Sequence, residues 1–184
     1  MVDPSALATW ANAVTVGRLL LSPLMFWIIP PDDQGSWIAW GLWFVLCLSD
    51  AFDGYIARRH GTTRSGAFLD PLADKVLLLT ALVALVVAGR FWWVPVAVIA
   101  VREVSISLFR SYWGRRGLAV PAAYWAKVKT VVQSVAVGLA VLPWLAETPW
   151  LADTALWVAV FLTVVTGLQY VHDGSRATRT TGYV

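Results

Sequence analysis

Apolar residues run along this chain in long blocks, at about 12–29, 37–57, 66–88, 92–113, 127–144 and 151–171, and the breaks between them are short. Pro30, Pro31 and Gly35 punctuate the first junction, Gly61 the second, Gly89 the third, Gly114 and Gly117 the fourth, and Pro143 and Pro149 the fifth. Each block approaches the roughly 20 mostly apolar residues that cross a bilayer as a helix. The expectation is an all-α, polytopic membrane protein: a bundle of six transmembrane helices forming one domain over 1–184. The first block lacks a small-residue cleavage site and reads as a retained span. The stretch 4–10 before it is expected to lie along the interface.

Composition agrees with the pattern. Hydrophobic residues make up 59% of the 184, charged residues 14%, and tryptophan occurs 12 times, which leaves too little polar surface for a soluble domain. The tryptophans are expected mostly at the membrane boundaries. Cys47 is the single cysteine, so an intrachain disulfide is excluded.

Charge then gives the chain a direction. Arg58, Arg59 and Arg64 flank the second junction, Arg110, Arg115, Arg116, Lys127 and Lys129 the fourth, and Arg176 and Arg179 lie in the tail. The first and fifth junctions hold no basic residue, their charges being Asp32, Asp33, Glu147 and, at the margin, Asp153, and the third holds Arg90 alone. Basic residues mark cytoplasmic loops, so a multi-pass protein of the cytoplasmic membrane with both termini cytoplasmic is expected. Membrane lipids are the expected surroundings of that basic face, with no nucleic-acid partner. His60 is expected in the second loop and His172 at the interface.

The chemistry-bearing anomaly is acid inside apolar blocks. An aspartate at the middle of a span costs about 2.5 to 3.5 kcal/mol on insertion scales, yet four fall in adjacent blocks. Asp50 and Asp53 stand three apart near the cytoplasmic end of the second; Asp70 and Asp74 stand four apart near the start of the third. Helical spacing places each pair on one face, and a short basic turn brings the pairs to similar depth. Four carboxylates in a low-dielectric site call for protons, basic partners or cations. Hard oxygen donors without Cys or His favour Mg²⁺, Mn²⁺ or Ca²⁺ over Zn²⁺. The alternative is that the aspartates only pair with Arg58, Arg59, Arg64 and Lys75.

The run Asp50-Ala-Phe-Asp53-Gly54-Tyr-Ile-Ala57-Arg58, followed after seven residues by Gly66-Ala-Phe-Leu-Asp70-Pro-Leu-Ala-Asp74, resembles the signature of the CDP-alcohol phosphatidyltransferases. The likeness extends upstream to Asn12, Thr15, Arg18 and Pro23, and downstream through Arg102, Glu103, Ser107 and Arg110 to Lys127, Lys129, Thr130 and Gln133. It implies six transmembrane helices, a homodimer and an active site open to the cytoplasm. It also implies two divalent metal ions, Mg²⁺ or Mn²⁺, held by Asp50, Asp53, Asp70 and Asp74, with Asp74 as the general base. Gly54, Ala57, Arg58 and Gly66 are implied to line the CDP-lipid site. The implied reaction is attack of an alcohol on CDP-diacylglycerol with release of CMP.

Arg102, Arg110, Lys127 and Lys129 are the candidates for binding an acidic acceptor, although Arg102 has Glu103 as a possible partner and the lysines can simply snorkel. The run from Arg102 to Gln133 is similar to the branch that makes phosphatidylglycerophosphate from sn-glycerol 3-phosphate, although Ala126 stands where glycine is expected. Phosphatidylinositol phosphate synthase and cardiolipin synthase are the alternatives within the family. Outside it stand the intramembrane prenyltransferases and an intramembrane cation transporter.

Overall fold

The structure is a computed structural model that describes the backbone of residues 10–31, 34–60, 66–114 and 124–180, and the side chains of 14–31, 34–49, 72–112 and 125–172. Its elements are α1 (Trp10–Leu21), a 3₁₀ turn (Ser22–Leu24), α2 (Met25–Ile28), α3 (Trp37–His60), α4 (Gly66–Val87), α5 (Trp93–Gly114), α6 (Tyr124–Val141), a 3₁₀ turn (Pro143–Leu145) and α7 (Pro149–Thr180). Every regular element among the described residues is helical.

Local sequence explains most of the boundaries. Pro23 lacks the N–H that an α-helix interior requires, and the chain passes it in the 3₁₀ turn that divides the first apolar block into α1 and α2. Ile29 and Leu142 both precede proline and both are extended, which ends the helical run before each. Gly89, at φ 78°, closes α4 in a Schellman arrangement: its N–H donates to Val86 O at 3.0 Å and that of Arg90 to Leu85 O at 2.9 Å. Pro149 opens α7, the first-turn position in which a missing N–H costs nothing.

Two expectations change. The block at 151–171 belongs to a longer helix, because α7 continues to Thr180. His60 ends α3 as part of the helix. The interfacial stretch 4–10 lies outside the described residues except for Trp10, as do Gly61, Arg64, Arg115, Arg116 and Gly117.

α4 occupies the middle and packs on α1, α2, α5 and α6, while α6 and α7 form the most extensive helix pair. Ala136, Ala140, Ala152 and Ala159 are buried in that pair, and small side chains let two helices approach closely without a polar driving force. Trp43 anchors α3 on α6, its Nε1 donating to Ser134 O at 3.1 Å.

The first and fifth junctions meet. Ser36 N–H donates to Val141 O at 3.0 Å, and a Cβ on Gly35, which has φ 70°, would stand 2.8 Å from the same oxygen. Trp37 lies edge-on to Trp144 there at 5.1 Å. The non-basic junctions thus share one end of the molecule, and that end carries indole rings suited to a headgroup layer.

Large apolar side chains point outward along the helices: Leu20, Ile38, Val101, Leu108, Phe161 and Leu168 are all more than half exposed. The polar groups Thr15, Arg18, Glu103, Lys129, Gln133 and Thr163 are buried. This inside-out distribution suits hydrocarbon outside the bundle. Among the described residues, Pro149–His172 of α7 is the one stretch long and apolar enough to cross a membrane by itself. α4, α5 and α6 depart from a purely apolar span because they carry Asp74, Lys75, Arg102, Glu103, Lys127 and Lys129, the groups from which the site is built.

Candidate functional site

Helical backbone covers the acidic positions. Asp50, Asp53, Gly54, Ala57 and Arg58 fall within α3, and Gly66, Asp70 and Asp74 within α4. Of these, Asp74 has a described side chain; for Asp50, Asp53, Gly54, Ala57, Arg58, Gly66 and Asp70 the structure describes the helical backbone alone.

Asp74 is met from α1. Arg18 Nη1 donates to Asp74 Oδ1 at 2.6 Å, with the Arg18 side chain 1% exposed and that of Asp74 39% exposed. A guanidinium this deep in an apolar helix needs a carboxylate, and Asp74 supplies one. Ser22 steadies the same turn by donating to Arg18 O at 2.6 Å. Arg18 carried no assigned role in the sequence reading, although an ionisable residue in an apolar block is the very signal that singled out the aspartates.

Asp74 also borders a groove of about 450 Å³ between α3, α4 and α6. Trp40, Phe44, Leu77, Val131 and Val135 give its walls an apolar character, and among the described residues lining it Asp74 is the one that is charged. Gly138 leaves room beside Trp43, whose indole would lie 3.6 Å from a Cβ placed there.

Where α4 faces α5 the side chains are charged or polar. Lys75 Nζ donates to Ser107 Oγ, and Ser107 Oγ donates to the backbone oxygen of Glu103. Glu103, 5% exposed, accepts from Lys129 Nζ and, at 3.1 Å, from Arg102 Nη1. Arg102 Nη2 reaches across to Thr166 Oγ1 at 3.1 Å, and Gln133 Nε2 donates to Thr163 Oγ1 at 3.0 Å. Each threonine passes its own proton to a carbonyl one turn back, Leu162 or Ala159. Glu103 therefore ties α5 to α6 inside the bundle, and Arg102 beside it links α5 to α7.

The four acceptor candidates separate accordingly. Arg102 and Lys129 converge on Glu103, and Lys129 is 2% exposed, while Arg110 and Lys127 are exposed. Lys75 and Ser107 join the cluster although neither was placed in the acceptor site from sequence.

A basic cluster and an apolar groove on neighbouring faces of α4, with Asp74 at the groove, suit a reaction between a polar alcohol and a lipid. The family model for CDP-alcohol phosphatidyltransferase matches residues 8–165, and so takes in α1 to α6 and about half of α7. The chain belongs to the CDP-alcohol phosphatidyltransferase family.

Relatives in that family align over nearly the full length. A probable phosphatidylglycerophosphate synthase of Mycobacterium tuberculosis is 38% identical over 96% of this chain and 85% of its own. A CDP-diacylglycerol–glycerol-3-phosphate 3-phosphatidyltransferase of Haemophilus influenzae is 32% identical over 86% of this chain and 89% of its own. Among solved structures, the apo phosphatidylinositol phosphate synthase of Mycobacterium tuberculosis matches with a TM-score of 0.54, covering 92% of this chain and 85% of that one. At 19% identity that likeness shows a shared fold and no more.

Proposed function

We propose that this CDP-alcohol phosphatidyltransferase moves the phosphatidyl group of CDP-diacylglycerol onto sn-glycerol 3-phosphate, forming phosphatidylglycerophosphate and releasing CMP. The observation that carries the reading is the position of Asp74, which borders the apolar groove while Lys75, the next residue of α4, turns to α5 and leads into the basic cluster. The names of the relatives favour glycerol 3-phosphate as acceptor.

In this mechanism Asp74 takes the proton of the acceptor hydroxyl as its oxygen attacks the lipid-linked phosphorus. A new P–O bond forms, the bond from that phosphorus to the oxygen shared with the cytidine phosphate breaks, and CMP leaves with the bonding pair. The groove holds apolar chain near the reacting phosphate, so the lipid need not leave the hydrocarbon. Gly54, Ala57, Arg58 and Gly66 are assigned to the CDP moiety, and Arg110 and Lys127 to the approach of the acidic acceptor. Arg102 and Lys129 support that site through Glu103.

Asp50, Asp53, Asp70 and Asp74 are the residues to hold two divalent ions, Mg²⁺ or Mn²⁺. Their donor set is hard oxygen throughout, and the accessible carboxylate of Asp74 fits that use. Such ions, when bound, offset the charge of the diphosphate. The setting proposed is one domain over 1–184 with six spans in the cytoplasmic membrane, both termini and the active site cytoplasmic, and a homodimer. The gathering of the acidic first and fifth junctions at one end supports this sidedness.

The deciding experiment uses purified protein, CDP-diacylglycerol and Mg²⁺ or Mn²⁺, with CMP release measured for each acceptor. Glycerol 3-phosphate should be used in preference to inositol phosphate and phosphatidylglycerol. Preference for either of the others would replace this reading with phosphatidylinositol phosphate synthase or cardiolipin synthase, and metal flux without CMP would indicate a transporter.

A further inference from the structure

Consecutive residues on a helix point about 100° apart, so Asp74 and Lys75 look out of α4 in different directions. Asp74 meets Arg18 and the groove, whereas Lys75 is turned to α5, where its ammonium rests on Ser107. Glu103, Ser107 and Arg110 stand four and three residues apart and share one face of α5. That face offers Lys75 a carboxylate already committed to Lys129 and Arg102, a hydroxyl, and an exposed guanidinium. The charged groups acting on Lys75 are Glu103 and Asp74, which attract it, and Arg110 and Arg102, which repel it.

Among the described residues positive charge is therefore in excess around Lys75. Lys129 and Arg102 have Glu103, and Arg18 has Asp74, but Lys75 has a neutral hydroxyl as its hydrogen-bond partner. A cation within an apolar bundle stays charged at least cost when an anion comes to it. A phosphate monoester brings about 1.5 to 2 negative charges and several acceptor oxygens, which matches Lys75 together with Arg110.

We propose that Lys75, with Arg110 beside it, binds the phosphate of the acceptor and so determines specificity for a phosphorylated alcohol. Resting on the reading of the chain as a phosphatidyltransferase with such an acceptor, this assigns neighbouring residues to the two ends of one small molecule. Asp74 addresses the reacting hydroxyl and Lys75 the phosphate, so the spacing along α4 measures a short acceptor. Lys129, the nearer choice from sequence, is instead the partner of Glu103. Ser107 holds the Lys75 ammonium ready until the phosphate replaces it.

The test is steady-state kinetics on the full-length protein in detergent with Lys75→Met, which keeps the apolar stem, and Lys75→Arg, which keeps the charge. For Lys75→Met the KM for glycerol 3-phosphate should rise about tenfold or more, with kcat and the KM for CDP-diacylglycerol within about twofold of wild type, since one charge-assisted bond is lost. Lys75→Arg should recover much of that loss. An unchanged KM for glycerol 3-phosphate, or equal movement of both KM values, would reduce Lys75 to a tether between α4 and α5 and overturn the proposal. A second readout needs no variant: acylation of Lys75 in the wild-type protein, mapped by peptide mass, with and without glycerol 3-phosphate or inorganic phosphate. Protection by either anion supports the site, and no protection by both overturns it. Failure of wild-type turnover with glycerol 3-phosphate would refute the acceptor assignment alone, because protection by inorganic phosphate still decides whether Lys75 holds a phosphate.

Discussion

Arg18 and Asp74, 56 residues apart in the chain, form a 2.6 Å ion pair that joins α1 to the central helix of the bundle. The arginine is enclosed and the aspartate is partly open, so the pair presents a carboxylate from a fixed base toward the groove. In the proposed mechanism Asp74 accepts the proton of the acceptor hydroxyl, and a base for that step benefits from being held in place.

Asp74→Asn should abolish CMP release while leaving the protein folded and able to bind CDP-lipid. The amide has nearly the shape of the acid but cannot serve as a base at neutral pH. Parallel measurements of turnover, thermal unfolding and CDP-lipid binding check this, and full activity in the variant would take Asp74 out of the mechanism.

Arg18→Met should lower both activity and stability. Loss of a charge-assisted bond from a buried donor costs about 1.5 to 3 kcal/mol, at the lower end here because Asp74 is partly solvated. Turnover should fall by about tenfold or more, read at a temperature where unfolding shows the variant intact. Wild-type kcat in a folded Arg18→Met protein would confine this arginine to packing.

Glu103→Ala should be more damaging than Glu103→Gln. Truncation strands Lys129 as a buried cation and removes one partner of Arg102, a situation that costs about 3 to 5 kcal/mol, whereas glutamine keeps acceptor oxygen in place. Thermal unfolding in detergent measures the order, and equal midpoints for the two variants would argue against Glu103 as the tie between α5 and α6.

Gly138→Leu should raise the KM for CDP-diacylglycerol and leave that for glycerol 3-phosphate unchanged. A Cβ at this position makes ordinary contact with Trp43, so the first carbon fits, but the rest of a leucine would enter the groove. Kinetics with short- and long-chain CDP-lipids tests the assignment, and no effect on either would mean that the lipid lies elsewhere.

Gly35→Ala should destabilise the fold by about 1 kcal/mol or more through its left-handed backbone alone. The added carbon would also collide with Val141 O at 2.8 Å. The expected readout is a lower unfolding midpoint with unaltered KM values.

Much of this protein was legible along the chain because bilayer-length apolar blocks and their proline and glycine breaks are local properties. Gly89 ends α4 and Pro149 begins α7 for reasons contained in a few neighbouring residues. Asp50, Asp53, Asp70 and Asp74 stood out because charge in an apolar block is costly wherever the block finally packs. The turn at Pro23 that splits the first helix and the extension of α7 to Thr180 were less visible, since apolar pattern alone does not mark a 3₁₀ turn or the end of a helix that continues into polar sequence.

Sequence by itself determined the helical class, the family signature and which residues carry charge into the apolar interior. Tertiary structure decided their partners: Arg18 with Asp74, Lys129 and Arg102 with Glu103, Lys75 with Ser107. The reason is physical. A charge removed from water must find its counterpart across the bundle, and which counterpart it meets depends on how helices distant in sequence pack, not on the residues beside it.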